Sequence, residues 1–195
     1  IALEGLRAVA VEIQALVSPV AGSGAFGRRT VDGIDNSRLL LLLGVLQKRI
    51  GIYFSKQDVY INVVGRMRLD RNAQEGHASD LAVAISVVSS FVSIPVRGDT
   101  AFVGEVGLLG ELRPVPAIDK RIQEARRMGF SRVVTPRNKS RQKGGPSKIG
   151  FSRSMGIDWI QCETLSDAIN EGLVSKLPNG RRKTTKSLDE EQRES

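Results

Sequence analysis

From Ser79 to Phe91 the chain runs without Gly or Pro, and almost every side chain is small or apolar. A bilayer crossing takes about 20 such residues, so this run is too short to span a membrane. It is also too apolar all round to lie on a surface, and it reads as a helix buried in a core.

The flanking sequence interleaves strands and helices. Residues 7–17 alternate and are rich in Val and Ile, which predicts one half-buried strand, with a second short strand at 28–33. Asp35, Asn36 and Ser37 offer N-cap residues for the apolar run Leu39–Leu43, Val45, Leu46 and Ile50, a helix that Gly51 ends and that is too apolar for a surface. Val59 to Val64 is a strand by its β-branched and aromatic content, while the polar residues 70–77 lack the means to order themselves. Strands follow at 101–106, 131–135 and 157–161, with a turn and return strand punctuated by Gly107, Gly110 and Pro114. Helices are predicted over 117–128 and 164–173. The class is α/β (α+β), one domain over 1–173. Residues 174–195 are too polar to offset their ordering entropy and read as a disordered tail of mixed charge.

Composition narrows the chemistry. Lys and Arg number 29 against 21 Asp and Glu in 195 residues, a net charge of +8 that favours a polyanionic partner, nucleic acid before membrane. The single cysteine, Cys162, excludes an internal disulfide and a cysteine zinc cluster, and it fits a reducing compartment. The single histidine, His77, leaves no histidine pair for a metal and reads as a solvated loop residue. No P-loop is present: Gly144-Gly145-Pro146-Ser147-Lys148 lacks the spacing, and Pro146 removes a backbone donor the cradle needs. Acidic residues are scattered, with no cluster for Mg²⁺. The opening Ile-Ala-Leu-Glu-Gly has neither an initiator Met nor a signal segment, and reads as part of something longer.

Several motifs in order resemble one family. Glu4-Gly5-x-Arg7, the run Val11–Val17, Asn62-Val63-Val64-Gly65, Ala78-Ser79-Asp80-Leu81-Ala82, Gly104-Glu105-Val106-Gly107-Leu108, Gly110-Glu111-Leu112-Arg113-Pro114-Val115-Pro116 and Gly129-Phe130 resemble the C-terminal domain of the RadA (Sms) recombination proteins over residues 4–173. The resemblance implies a fold similar to the proteolytic domain of Lon proteases, of the ribosomal protein S5 domain 2 type. It also implies a missing N-terminal part that would hold ATP and zinc, with no cofactor in this domain. A DNA-dependent ATPase, a hexameric ring, branch migration on single-stranded or branched DNA and a RecA-type recombinase as partner are implied too. So is a bacterial cytoplasm or, more weakly, a eukaryotic organelle (chloroplast or mitochondrion) or nucleus.

Lon proteases use a Ser-Lys dyad. Laid on that pattern, the serine falls on Ala78 and the lysine on Arg121. Alanine carries no nucleophile, and an arginine does not give up its proton, so the resemblance implies a domain without peptidase activity. Helical phase places Arg121 with Ile118, Ile122 and Ala125 on the inward face and turns Lys120 outward with Arg127. The alternative is an active peptidase one residue out of register, using Ser79 and Lys120, where Ser79 otherwise reads as an N-cap. Residues 70–77 are longer than the family pattern there.

Charge is concentrated. Arg113 to Arg153 carries twelve Lys or Arg against Asp119 and Glu124. Arg126, Arg127, Arg137, Lys139, Arg141, Lys143, Lys148 and Arg153, on a helix end and a Gly/Ser-rich loop, are candidates for DNA phosphates, with Arg28, Arg29, Arg66, Arg68 and Arg71 as a second group and Arg181-Arg182-Lys183 in the tail. Aromatic residues are only 5% of the chain, and Phe130, Phe151 and Trp159 read as core, so backbone binding fits better than base reading. A scaffold whose charge serves only solubility is the remaining reading.

Overall fold

In a computed structural model the described residues are 1–21, 26–65, 68–69, 73–137, 149–154 and 156–176. The predicted tail from 177 onward lies outside them, as do 70–72 and 138–148. The chain begins with a hairpin, β1 (Ala2–Glu4) and β2 (Arg7–Val9), turned at Gly5 in the left-handed region. β3 (Ile13–Pro19), β4 (Arg29–Asp32) and β5 (Gln57–Val63) make a three-stranded sheet in the order β3-β5-β4, antiparallel then parallel. The crossover from β4 to β5 carries α1 (Asn36–Val45) and a five-residue π-helical turn, Leu46–Ile50. The Asp35 side chain accepts from the Arg38 N–H to start α1, and Gly51 at φ +83° stops the helix.

The second half holds α2 (Ala73–Ala78), α3 (Asp80–Val92), β6 (Thr100–Phe102), the short hairpin β7 (Glu105–Val106) and β8 (Leu112–Arg113), and α4 (Ile118–Arg127). It continues with β9 (Arg132–Pro136), β10 (Ile149–Ser154), β11 (Ile157–Cys162) and α5 (Leu165–Gly172). β10, β11, β9 and β6 form the second sheet in that order, with only the β10–β11 pair antiparallel. Strands and helices therefore alternate, and the class is mixed α/β.

The apolar run becomes α3, the centre of the main core. Leu81, Val83, Ala84, Ile85, Val87 and Val88 are buried among residues of α1, β5 and α5. Two of its serines face β3. Ser86 donates to the carbonyl of Ile13 at 3.2 Å, and Ser90 accepts from the Val17 N–H at 2.9 Å. Spaced one helical turn apart, they satisfy the outward backbone groups of an edge strand that would otherwise be open to another chain. A smaller core lies between α4 and the second sheet, built on Ala101, Ile122, Ala125, Val133 and Ile157, with Trp159 and Phe130 packed against it.

Five expectations about the elements are corrected. The strand expected over 101–106 is two, β6 and β7, which lie in different sheets because the chain changes partner at Val103 and Gly104. The single strand over 7–17 is two, β2 and β3, because β2 packs under α4 while β3 packs under α3, and an alternating pattern carries no mark where a chain changes partners. Residues 73–77 are helical where no self-ordered structure was expected, since Glu75 gains a buried partner from another element. Residues 149–154 are an edge strand, not part of a Gly/Ser loop, because β11 offers them a ladder. Finally, α1 is buried on one face only: Leu39, Leu42 and Leu43 are buried while Leu40 and Leu41 are about half exposed.

Cys162 sits at the end of β11 with no exposure, and burial pushes its thiol up to about 12. The thiolate is the reactive form. Native protein at pH 8 is therefore expected to react with a disulfide reagent such as Ellman's at under a tenth of the rate of protein unfolded in guanidinium.

Candidate functional site

The two positions of the dyad pattern lie where α2, α3 and α4 meet. Ala78 ends α2 and is buried, and its carbonyl accepts from the Gly104 N–H at 2.9 Å, while the Leu81 N–H returns to the Gly104 carbonyl at 3.1 Å. Gly104 is required here: a Cβ would come within 2.8 Å of the Pro136 ring. Arg121 projects from the inward face of α4 between buried Ile122 and Ala125 and is itself fully buried. Its Nη2 donates to Glu75 Oε1 at 2.7 Å and its Nη1 to Glu75 Oε2 at 3.0 Å, a two-pronged ion pair one helical turn before Ala78. The remaining reach of the guanidinium goes to the carbonyls of Pro116 at 3.0 Å and Ile1 at 2.8 Å. Glu75 in turn accepts from the Leu3 N–H at 2.7 Å.

Ala78 has no hydroxyl, and Arg121 is a permanent cation held by a carboxylate and two carbonyls. In the other register, Lys120 is exposed, about 100° around α4 from Arg121, and Ser79 makes no side-chain cap to α3. The predicted N-cap hydrogen bond of Ser79 is thus absent, because its backbone is already helical at φ −92° and ψ −8°. The neighbouring Asp80 is buried, accepts from the Val106 N–H at 3.0 Å and is gripped by the Nε and Nη2 of Arg38. Desolvation raises the Asp80 carboxyl above its usual value, against the pull of Arg38. His77 lies in the last turn of α2, not in a loop, with Nδ1 4.0 Å from Glu105 Oε2.

Sequence missed Glu75, although a signal existed. A buried arginine demands a counter-charge, and Glu75 lies one turn before the aligned serine position.

The candidate phosphate contacts fall at separate places. Arg126 is exposed at the end of α4, its guanidinium over Gly156 in the β10–β11 turn. Arg127, also exposed, is bidentate to Glu124 at 2.6 and 2.8 Å. Arg153 belongs to β10 and pairs in register with Asp158, at the same end of the sheet. Arg137 leaves the opposite end of β9, where its Nη1 donates to Glu163 at 3.1 Å and the side chain is nearly buried. Ile149, where β10 begins, is also at that opposite end, level with Cys162 and Pro136. The five residues of β9 separate the two groups by roughly 15 Å at 3.3 Å per residue. Lys139, Arg141, Lys143, Lys148, Arg66, Arg71 and the tail cluster Arg181-Arg182-Lys183 lie outside the described residues.

In the second group, Arg29 is tied to the carbonyls of Arg28, Gln57 and Phe54 at 2.6–2.8 Å, a staple for the loop before β5. Arg28 is exposed at the start of β4, whereas Arg68 is exposed beside Leu69, whose N–H reaches the Gly33 carbonyl past the end of that strand. The two are brought to opposite ends of β4, not to one site.

Among known proteins, the family described as subunit ChlI of Mg-chelatase matches residues 45–139, the stretch from the end of α1 through β9. The protein named DNA repair protein RadA from Listeria monocytogenes is 40% identical over 171 residues, 88% of this chain and 34% of its own length. That of Bacillus subtilis is 39% identical over 173 residues, again 88% and 34%. That of Halalkalibacterium halodurans is 44% identical over 161 residues, 82% and 33%. Over this span the chain is similar to these RadA proteins. It covers about a third of the length of these curated RadA relatives. Among the described residues, no helix is long and apolar enough to cross a membrane.

Removing one partner of a buried ion pair strands the other without water. Arg121→Ala or Glu75→Ala is expected to cost about 3 to 5 kcal/mol in urea unfolding. The double change Arg121→Met with Glu75→Leu should recover most of that loss, because no charge is then left buried.

Proposed function

We propose that this chain is a non-proteolytic Lon-like domain, of the ribosomal protein S5 domain 2 type, from a RadA-type ATP-driven motor of homologous recombination and DNA repair. Its part is to bind DNA and to help hold the subunits of a hexameric ring together. The single observation that carries this reading is the pairing of Arg121 with Glu75 next to Ala78. A position that would need a neutral amine holds a fixed cation, and the position that would need a hydroxyl holds a methyl group. The homology to proteins named DNA repair protein RadA supplies the setting.

Phosphates are the natural ligand for the exposed cations. Arg126 and Arg127 stand in solvent at the end of α4, and an ion pair as exposed as Arg127 with Glu124 exchanges readily for a phosphate oxygen. Arg28 and Arg68 are further candidates, with Lys139, Arg141, Lys143, Lys148, Arg153 and Arg66. Arg29 and Arg137 contribute to the fold through their carbonyl and carboxylate partners, and are the weakest candidates for DNA. ATP hydrolysis, zinc, branch migration on single-stranded or branched DNA and contact with a RecA-type recombinase belong to the whole motor in this proposal, of which the chain is one part.

Binding of labelled single-stranded DNA checks the reading. Affinity should fall by at least tenfold between about 50 and 200 mM salt, as counterion release requires. Arg126→Ala with Arg127→Ala should weaken binding and flatten the salt slope. Absence of binding at the lower salt would remove the DNA role. Cleavage of a fluorogenic peptide that is lost in Ser79→Ala would restore the peptidase.

A further inference from the structure

Phe26, just ahead of β4, is 91% exposed, and Tyr53, in the segment leading into β5, is 51% exposed. These two segments lie side by side. The Gly27 N–H donates to the Ser55 carbonyl at 3.2 Å, and that bond is one residue from Phe26 and two from Tyr53. A Cβ on Gly27 would come within 1.9 Å of the Gln57 carbonyl oxygen, so only glycine allows the approach.

Both rings are presented by fixed backbone. Arg29 ties the segments further, donating to the carbonyls of Gln57 at 2.6 Å and Phe54 at 2.7 Å. Phe54 is buried edge-on against Phe91, ring centres 5.6 Å apart, which anchors the residue beside Tyr53 in the main core. From the other flank the Val20 N–H donates to the Lys56 carbonyl at 3.1 Å. Neither segment has to be ordered when a ligand arrives.

Charge and residue type select the occupant. Residues 20–31 and 51–57 contain Arg28, Arg29 and Lys56 and no Asp or Glu. Arg29 is committed to carbonyls, while Arg28 and Lys56 are exposed. The flanking Asp58 already accepts from the Arg28 N–H at 2.6 Å and the Tyr60 hydroxyl at 3.4 Å, and Asp32 lies at the far end of β4. In residues 26–31 and 51–57 the exposed large apolar side chains are both aromatic, with no aliphatic one beside them. Rings interleaved with cations match a ligand of flat bases on an anionic backbone.

We propose that Phe26 and Tyr53 stack on bases of a single DNA strand whose phosphates lie against Arg28 and Lys56. The proposal rests on the DNA reading above and adds base contact and a strand preference to it. Stacking on a ring is open to every type of base but only to unpaired ones, because in a duplex the base faces cover one another.

The test is binding of labelled oligo(dT), and of a duplex of the same length, between about 50 and 200 mM salt. Phe26→Ala and Tyr53→Ala are each expected to weaken single-strand binding about fivefold or more, with the salt slope and duplex binding unchanged. Phe26→Trp should bind as wild type, whereas Phe26→Leu, which keeps the apolar surface but not the ring, should not. Lys56→Ala should instead flatten the salt slope by about one phosphate. Because Phe26 is almost wholly in water, its variants should melt at the wild-type temperature. Single-strand binding unchanged in the Phe26→Ala, Tyr53→Ala double variant overturns the site and leaves the DNA reading intact. Equal losses on single strand and duplex, or wild-type binding by Phe26→Leu, also overturn it. A changed sedimentation mass with DNA binding unchanged assigns the rings to a protein contact and overturns it too. A wild type that binds no DNA strikes the function reading itself.

Discussion

The buried pair of Arg121 and Glu75 joins parts of the chain that have no other reason to meet. It bridges α4 and α2 across 46 residues and, through the backbone of Ile1 and Leu3, pins the entering strand to both. A buried guanidinium is tolerable only when its charge and its donors are all engaged, so its geometry leaves little freedom around it. The backbone exchange of Ala78 and Leu81 with Gly104 then fixes how α3 begins, and α3 in turn organises the main core.

On the proposed Lon-like reading, the same pair keeps an architecture whose dyad chemistry is gone. An active lysine must sit buried and unpaired enough to be neutral, which is a destabilising state. Arginine with a matching carboxylate fills the same space with a stable cation. The neighbouring Arg38–Asp80 pair does comparable work on the other side of α3, where it holds Val106 and so the base of the hairpin that carries Leu108 and Leu109. Exposed leucines stand at the hairpin, and exposed arginines at the end of α4.

Much of this was legible in the chain itself. The inward direction of Arg121 follows from the 3.6-residue period of α4, because Ile118, Ile122 and Ala125 share its face. The caps of α1 and α5 follow from Asp35 and Thr164, whose side chains accept from N–H groups three residues on. Other features had no local signature. The split between β2 and β3 leaves the alternation undisturbed. β10 was hidden because its residues look like loop until β11 pairs with them. The basic cluster looked continuous in sequence, yet β9 carries Arg137 to one end of the sheet and leaves Arg126 and Arg127 at the other.

The sequence by itself therefore determined most element types, the buried central helix, the absence of a hydroxyl at Ala78 and of an amine at Arg121, and the similarity to the RadA proteins. Those depend on side-chain identity and on periods of two or 3.6 residues, which are local quantities. Only the tertiary structure decided that Glu75 answers Arg121, that Arg29 and Arg137 are committed to carbonyl and carboxylate partners, and that Leu40, Leu41, Leu108 and Leu109 stay exposed. Each of these turns on which distant segments approach within a few ångströms, and no pattern along the chain encodes a distance across it.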